Sequence, residues 1–242
     1  MTERARTLTE RDIQSLVFVA EMYGVQLDQL AGLLDVPRER ARAIASRWRE
    51  LGYAESARLG PGPPWVWVTR QGLAACGLRY TAVPPALSRL AHIRAVTSVR
   101  LALAATRTYQ QARAYWRGER RMRTGCRPGL RDHLPDGEVH WPDEAGVGWA
   151  GECWAIEAEL TRKTVTRTAA IMNELLSRTG DYGCPAADAV VPGRPPRHAR
   201  AVYLCSPAAR PTVTRARAEL GPLAARVEVR DLPAGARFPE DK

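Results

Sequence analysis

Two acidic residues stand two positions apart in Cys153–Leu160, a segment whose other residues are mostly apolar. Alternate residues of a strand share a face, so Glu157 and Glu159 should point to the same side, about 6.5–7 Å apart. Two like charges placed this close destabilise a fold unless a cation or another partner offsets them. The spacing therefore predicts a site at which these carboxylates meet a cation.

Asp136 and Lys163 extend this pair into a group that could perform chemistry. Asp136 directly precedes a second strand-like segment, Glu138–Trp141, and hairpin pairing of the two strands would bring it beside Glu157. Carboxylate oxygens are the ligands that Mg²⁺ prefers, so we expect Asp136 and Glu157 to hold Mg²⁺. Lys163 is the only internal lysine in the chain. Its amine could orient a metal-bound water and offset charge that develops on a phosphate.

A simpler interpretation of the same residues stays open. Glu157 and Glu159 could form the solvated face of an edge strand, with Lys163 as a surface partner of either. Glu119, which follows the first candidate strand of this region, is a second open case. It could be an auxiliary acidic residue of the site, or it could pair with the arginines around it.

The carboxylates would be positioned by an α/β domain over residues 86–232, followed by a tail over 233–242. Strands that alternate with helices indicate a layered domain with a central mixed sheet, so the chain as a whole is expected to be of the mixed α+β class. A linker is predicted at Thr81–Pro85, because two consecutive prolines favour an extended chain. The predicted elements are helices at 86–111, 164–178 and 211–220, and strands at 114–118, 138–141, 152–160, 201–205 and 227–230.

Residues 1–83 show the order of a winged helix-turn-helix. Thr9 and Asp12 have the spacing of a capping box at the start of the first helix, and Pro37 opens the third. In this fold the third helix enters the major groove of DNA. A three-helix bundle with a hairpin, or a winged helix used only for protein contacts, would give the same pattern. The predicted elements are helices at 9–24, 27–34, 37–51 and 70–76, and strands at 53–59 and 65–68.

The formal net charge of +10 favours a polyanionic partner, most simply double-stranded DNA. Basic and polar side chains off the apolar face of the third helix, and one in the hairpin, are the expected DNA contacts. No apolar run approaches the ~18 residues of a membrane span, and no secretory signal opens the chain, so no membrane partner is expected. The expected DNA contacts are Arg38, Arg42, Ser46, Arg49 and Arg58.

The five cysteines are scattered, odd in number and contain no C-x-x-C, which favours a reducing cytosol over a disulfide framework. We therefore expect a cytoplasmic protein, associated with the nucleoid or with a plasmid. Zinc is not expected, because the candidate ligands lack the close pairs that zinc sites use. These candidates are Cys126, His133, His140 and Cys153.

Pro135-Asp136, followed by Glu157-Ala-Glu159 on the next strand, resembles the PD-(D/E)xK nuclease motif. The order helix, three strands, helix, strand is similar to the core of that superfamily. Glu159 stands where the motif normally has lysine. Some restriction endonucleases of the superfamily carry Glu there, and others move the lysine to a neighbouring element, so Lys163 could be a migrated lysine. A degenerate, inactive site is the alternative.

The whole chain resembles the replication-relaxation family of actinobacterial plasmids and integrative elements, which joins an N-terminal winged helix to a nuclease-like domain. Its supporting segments are Trp116–Arg120, His133–Gly137 and Ile156–Lys163. The resemblance implies a DNA-binding protein of plasmid or mobile-element replication or transfer. Such a protein would cleave or nick DNA with Mg²⁺, and a second copy of the chain and other replication or transfer proteins would be its further partners. The catalytic residues would be Asp136, Glu157, Glu159, Lys163 and Glu119.

Two other functions stay open. One is a non-catalytic accessory protein that uses a degenerate nuclease fold as a platform. The other is a transcriptional regulator whose C-terminal domain senses a ligand or dimerises.

Overall fold

The computed structural model describes residues 7–124, 133–143, 146, 148–180, 182 and 195–235. Their contacts divide the chain into two compact units, one with residues up to Leu101 together with Gly235, the other from Ala102 to Ala234. Each unit has its own sheet and its own helices, so the chain has the expected α+β class. Within the described ranges, no helix is long and apolar enough to cross a membrane.

The first unit begins with helices and closes with a small antiparallel sheet of order β1-β3-β2. The predicted capping box is present, since Thr9 Oγ1 accepts the Asp12 N–H and the Asp12 carboxylate accepts the Thr9 N–H. The two-residue strand β1 was not predicted. The elements are α1 (Glu10–Glu21), β1 (Val25–Gln26), α2 (Leu27–Leu34), α3 (Arg38–Glu50), β2 (Ala54–Ala57), β3 (Trp65–Val68), α4 (Arg70–Ala75) and α5 (Leu90–Ala104).

Helix α3 packs on the first unit through the apolar face that its sequence predicts. Ala41, Ala45 and Trp48 are buried, and the Trp48 indole N–H donates to Asp12 Oδ1 at 2.8 Å. The carboxylate that caps α1 therefore also satisfies the buried indole of α3. This shared partner fixes the position of α3, whose other side carries the predicted DNA contacts.

The units divide at Leu101 rather than at the predicted linker, residues 81–85. Helix α5 contacts the first unit, and one of these contacts is an ion pair between α2 and α5. Asp28 accepts two hydrogen bonds from the Arg94 guanidinium, at 2.7 and 3.1 Å, and the Arg94 side chain is only 3% exposed. Most of α5 thus belongs with the first unit. Most of the predicted tail, residues 233–242, lies outside the described residues.

The single helix predicted over residues 86–111 is wrong. A short 3₁₀ helix at Leu87–Arg89 precedes α5, and Thr106 begins a new helix by accepting the Tyr109 N–H. The local capping preference of Thr106 therefore interrupts an apolar pattern that by itself favoured one continuous helix.

The second unit contains a five-stranded mixed sheet of order β4-β5-β6-β7-β8. Strands β4, β5 and β6 pair antiparallel, whereas β6, β7 and β8 pair parallel. All five predicted strands are present, and helix α7 was not predicted. The elements are α6 (Arg107–Gln111), β4 (Tyr115–Gly118), α7 (Glu119–Thr124), β5 (Gly137–His140), β6 (Cys153–Glu159), α8 (Val165–Ser177), β7 (Arg200–Cys205), α9 (Arg210–Ala218) and β8 (Val227–Asp231).

One face of this sheet is covered by α8 and α9. Ala155 of β6 and Tyr203 of β7 belong to the same buried cluster as Met172 and Leu175 of α8. Because side chains alternate along a strand, Glu157 and Glu159 share this face with Ala155. The carboxylates are therefore placed on the helix-covered side of the central strand.

Candidate active site

Asp136 meets the end of β6 through the hairpin that the sequence predicts. Strand β5 runs antiparallel to β6 with Gly137 opposite Ile156, so the residue before β5 lies beside the end of β6. Asp136 Oδ2 accepts the Ala158 N–H at 2.8 Å. This bond places the Asp136 carboxylate between the strand positions of Glu157 and Glu159.

Glu157 is buried beside a histidine. Its carboxylate is 3% exposed, and Glu157 Oε1 lies 2.6 Å from His133 Nε2. Burial raises the pKa of Glu157; His133 opposes this shift, but the charges of Asp136 and Glu159 add to it, so the pKa lies well above its ordinary range. Glu157 is thus a carboxyl group that holds a proton readily until a cation takes the place of that proton.

Glu159 is paired with the internal lysine. Its side chain is buried, and Lys163 Nζ donates a hydrogen bond to Glu159 Oε1. Lys163 lies in the turn between β6 and α8. The alternative of a solvated edge strand is wrong, because β6 is the middle strand and both glutamates are buried. The other part of that alternative, a pairing of Lys163 with one of the two glutamates, is present in the structure.

Two residues of this cluster were not assigned to it from the sequence. His133 was considered only as a zinc candidate. Burial lowers the pKa of its ring, but the nearby Glu157 and Asp136 together raise the pKa above its ordinary value. Tyr203 lies opposite Glu157 in the parallel pairing, is fully buried, and its hydroxyl has no hydrogen-bond partner among the described residues. Burial and the nearby carboxylates, Glu157 first, raise the pKa of Tyr203 well above its ordinary value. The sequence did hold a signal for His133, which begins the segment His133–Gly137 that supports the family resemblance. No signal in the sequence placed Tyr203 in the cluster.

Glu119 is joined to the cluster through the backbone. It is the first residue of α7, and its N–H donates to the Asp136 carbonyl at 3.1 Å. Its carboxylate accepts a hydrogen bond from Arg123. The side chain thus forms the arginine pairing that was one of the two alternatives, and an auxiliary acidic role stays a prediction.

The first unit carries its predicted DNA contacts on one side. Arg42, Ser46 and Arg49 of α3 line a surface cavity of about 290 Å³ together with Arg58, which follows β2. Arg38 is exposed at the start of α3 and is not among the lining residues. Arg42 pairs with Glu39 at 2.8 Å in an exposed contact, a kind that contributes little to stability.

The carboxylate cluster has the donor set that Mg²⁺ requires. Its ligands would be hard carboxylate oxygens, and crowding of three carboxyl groups is the condition that a divalent cation relieves. The unsatisfied Tyr203 hydroxyl is a further polar group facing the same sheet position. Asp136 and Glu157 therefore fit the predicted role of Mg²⁺ ligands.

Comparison with known proteins finds no family model that matches the chain, and no match among curated proteins or solved structures. The resemblance to the replication-relaxation family therefore stays a prediction.

Proposed function

We propose that the chain is a DNA-binding protein of plasmid or mobile-element replication or transfer. In this proposal the first unit is a winged helix that binds duplex DNA, and the second is a PD-(D/E)xK-like nuclease that uses Mg²⁺. One observation carries it: Asp136, Glu157 and Glu159 converge with Lys163 at the end of the central strand β6.

The strand order supports the nuclease part of the proposal. Strands β4, β5 and β6 form an antiparallel meander, and α8 then connects β6 to the parallel strand β7. The short helix α6 precedes them, so apart from α7 between β4 and β5 the elements of the second unit follow the order helix, three strands, helix, strand. This is the order that the resemblance implies. Asp136 lies directly before the second strand of the meander, and Glu157 and Glu159 lie on the third.

The Lys163 contact supports the interpretation of a migrated lysine. Glu159 stands at the motif position for lysine, and its carboxylate accepts a hydrogen bond from the Lys163 amine. The amine is therefore held beside the end of β6 although it comes from the following turn. With a side chain that is 31% exposed, Lys163 could reach a phosphate and offset its charge.

Each residue of the cluster has a role in the proposed cleavage. Asp136 and Glu157 would hold Mg²⁺, which when bound polarises the phosphate and lowers the pKa of a bound water. His133 would receive the proton that leaves Glu157, since the two side chains are 2.6 Å apart. Glu159 would orient Lys163 toward the substrate.

The winged-helix part of the proposal is supported by the position of the arginines. Arg42 and Arg49 are exposed on α3, and Arg58 lines the same cavity from the hairpin side. Guanidinium groups at such positions can contact phosphates and base edges.

Nicking of supercoiled plasmid tests the proposal. We expect nicking by the full chain with Mg²⁺, none after Asp136→Asn, and slower nicking after Lys163→Met with Mg²⁺ binding retained. Asp143→Asn is the matched control, because Asp143 is an exposed carboxylate of the same unit outside the cluster. Failure of the wild-type chain to nick under any divalent cation would contradict the catalytic function.

The rival function, a non-catalytic accessory or regulatory protein, also has an observation in its favour. His133 and Lys163 already pair with Glu157 and Glu159, as they would in a site that no longer binds metal. In that case duplex DNA still binds, but Mg²⁺ neither raises the thermal midpoint nor permits nicking.

A further inference from the structure

Glu138 is the centre of a second cluster, located near the beginning of β6 rather than at its end. Its carboxylate is fully buried, and two histidines contact it. His198 Nε2 lies 2.9 Å from Glu138 Oε1, and His140 Nε2 lies 3.1 Å from Glu138 Oε2. Cys153 pairs with His140 across the hairpin, and its Sγ lies 3.8 Å from His140 Nε2. Ligand atoms of Glu138, Cys153 and His198 all lie within 4.8 Å of one another.

The hydrogen bonding of His198 requires a cation at this cluster. His198 is fully buried, and its Nδ1 lies 2.9 Å from the Leu175 carbonyl oxygen. A carbonyl only accepts, so Nδ1 carries a hydrogen, and a neutral ring then has a bare lone pair on Nε2. That lone pair faces a carboxylate oxygen of Glu138, which carries lone pairs as well. Either a second proton or a metal ion must therefore lie between them.

The surroundings of the cluster are those of a metal site. A bond from the second ring nitrogen to a backbone carbonyl is the arrangement that orients a metal-bound histidine. Arg197 similarly supports Glu138, since its Nε and Nη2 donate to the two carboxylate oxygens at 2.6 and 2.8 Å. Each oxygen has two acceptor positions, so the carboxylate can bind Arg197 and a metal ion together. Arg117 Nη1, at 3.6 Å from Oε2, is a second cation near Glu138.

Glu138 is available as an ionised ligand. Two hydrogen bonds from the Arg197 guanidinium stabilise the buried Glu138 carboxylate in its charged form. Access exists as well, because Cys153 and Arg197 line a surface cavity of about 490 Å³. A metal ion could enter by this route.

We propose that Glu138, Cys153 and His198, whose ligand atoms lie within 4.8 Å of one another, bind a transition-metal ion of the zinc class. A movement of the His140 ring, which already contacts Glu138 and Cys153, would supply the fourth ligand of a tetrahedral site. One thiolate, two imidazole nitrogens and one carboxylate oxygen form a ligand set that suits zinc, in contrast to the all-oxygen set at Asp136 and Glu157. The ion would connect β5, β6 and the segment that leads into β7. It would stabilise the native sheet by mass action and would not depend on nuclease activity.

Cobalt substitution of the metal-free full chain tests this site. We expect one equivalent of Co²⁺ to give a thiolate-to-cobalt charge-transfer band and the intense visible bands of tetrahedral cobalt, and Zn²⁺ to remove both. Cys153→Ser should abolish the charge-transfer band and weaken Zn²⁺ binding by at least about tenfold, since even changes around metal ligands weaken affinity about 10–100-fold. Cys76→Ser, which changes a half-buried cysteine of the first unit, should leave both unchanged.

His140→Gln provides a second readout if Cys153→Ser fails to fold, because the His140 side chain is 22% exposed and keeps space for a similar polar group. Zn²⁺ affinity should fall at least about tenfold in this variant too. Absence of the charge-transfer band in the wild-type chain, or an identical band in Cys153→Ser, would overturn the proposal. Glu138 and His198 would then form a buried ion network around a proton.

Discussion

Loss of two arginines from α3 should reduce the salt dependence of DNA binding by a calculable amount. Arg42 and Arg49 are both exposed and both line the α3 cavity, so neither contributes to the apolar core. Each phosphate contact lowers the slope of log K against log salt by about 0.9. The double variant Arg42→Ala/Arg49→Ala should therefore have a slope shallower by about 1.8. Between 50 and 200 mM salt, this difference corresponds to about a tenfold change in relative affinity.

A fluorescence anisotropy titration of labelled duplex DNA at several salt concentrations measures this slope. Arg40→Ala/Arg70→Ala is the matched control, because it removes the same charge from two exposed residues. Arg40 lies about 200° around α3 from Arg42, so it is on a different side of the helix. The thermal midpoints of all chains should agree closely, since exposed substitutions usually change stability by about 0.5 kcal/mol or less. An equal change of slope in the control would show that total charge, rather than the α3 surface, determines binding.

Three further predictions concern stability and are measured by thermal or denaturant unfolding. Gly137→Ala should destabilise the fold by about 1–3 kcal/mol or more, because the added Cβ would lie 2.0 Å from the Trp116 ring, and an unchanged midpoint would contradict this packing. Arg94→Met should lower the free energy of unfolding by about 3 kcal/mol, because it leaves Asp28 without its ion-pair partner, and a neutral result would show that the pair does not attach α5. The free energy of unfolding should fall as the pH rises through the raised folded-state pKa of Glu157, because the folded chain retains that proton longer than the unfolded chain. Glu157→Gln should flatten the profile, and an unaltered profile would contradict the assignment.

Local patterns predicted most elements of the fold, because their causes lie within a few residues. The capping box of Thr9 and Asp12 and the alternation along β6 are examples. The boundary between the compact units could not be predicted in this way. It reflects contacts of α5 such as the pair of Asp28 and Arg94, which are far apart in sequence and carry no local signal of their contact.

The carboxylate cluster was predictable to the extent that a hairpin creates it. Asp136 and Glu157 meet through adjacent strands, so turn position and alternation were sufficient. Tyr203 reaches the same place only through the parallel pairing of β6 and β7, which sequence spacing does not reveal. Its place beside Glu157 was therefore missed.

The same limit applies to the zinc candidates. Spacing alone argued against zinc at Cys126, His133, His140 and Cys153. In the structure His133 contacts Glu157, whereas His140 and Cys153 lie together. Cys126 lies outside the described residues. Glu138 and His198 were not among those four candidates. Strand pairing brings them to His140 and Cys153.

The two clusters on β6 differ in when they can assemble as the chain folds. Asp136, Glu157, Glu159 and Lys163 all come from one hairpin and the turn after it, so pairing of adjacent strands brings them together. The cluster around Glu138 also needs His198, which arrives only when β7 pairs with β6 across the connection that contains α8. Closing such a long connection is slow, because its entropy is lost before the new contacts form. A metal ion at Glu138 would therefore secure a late step of folding, the same pairing that brings Tyr203 beside Glu157.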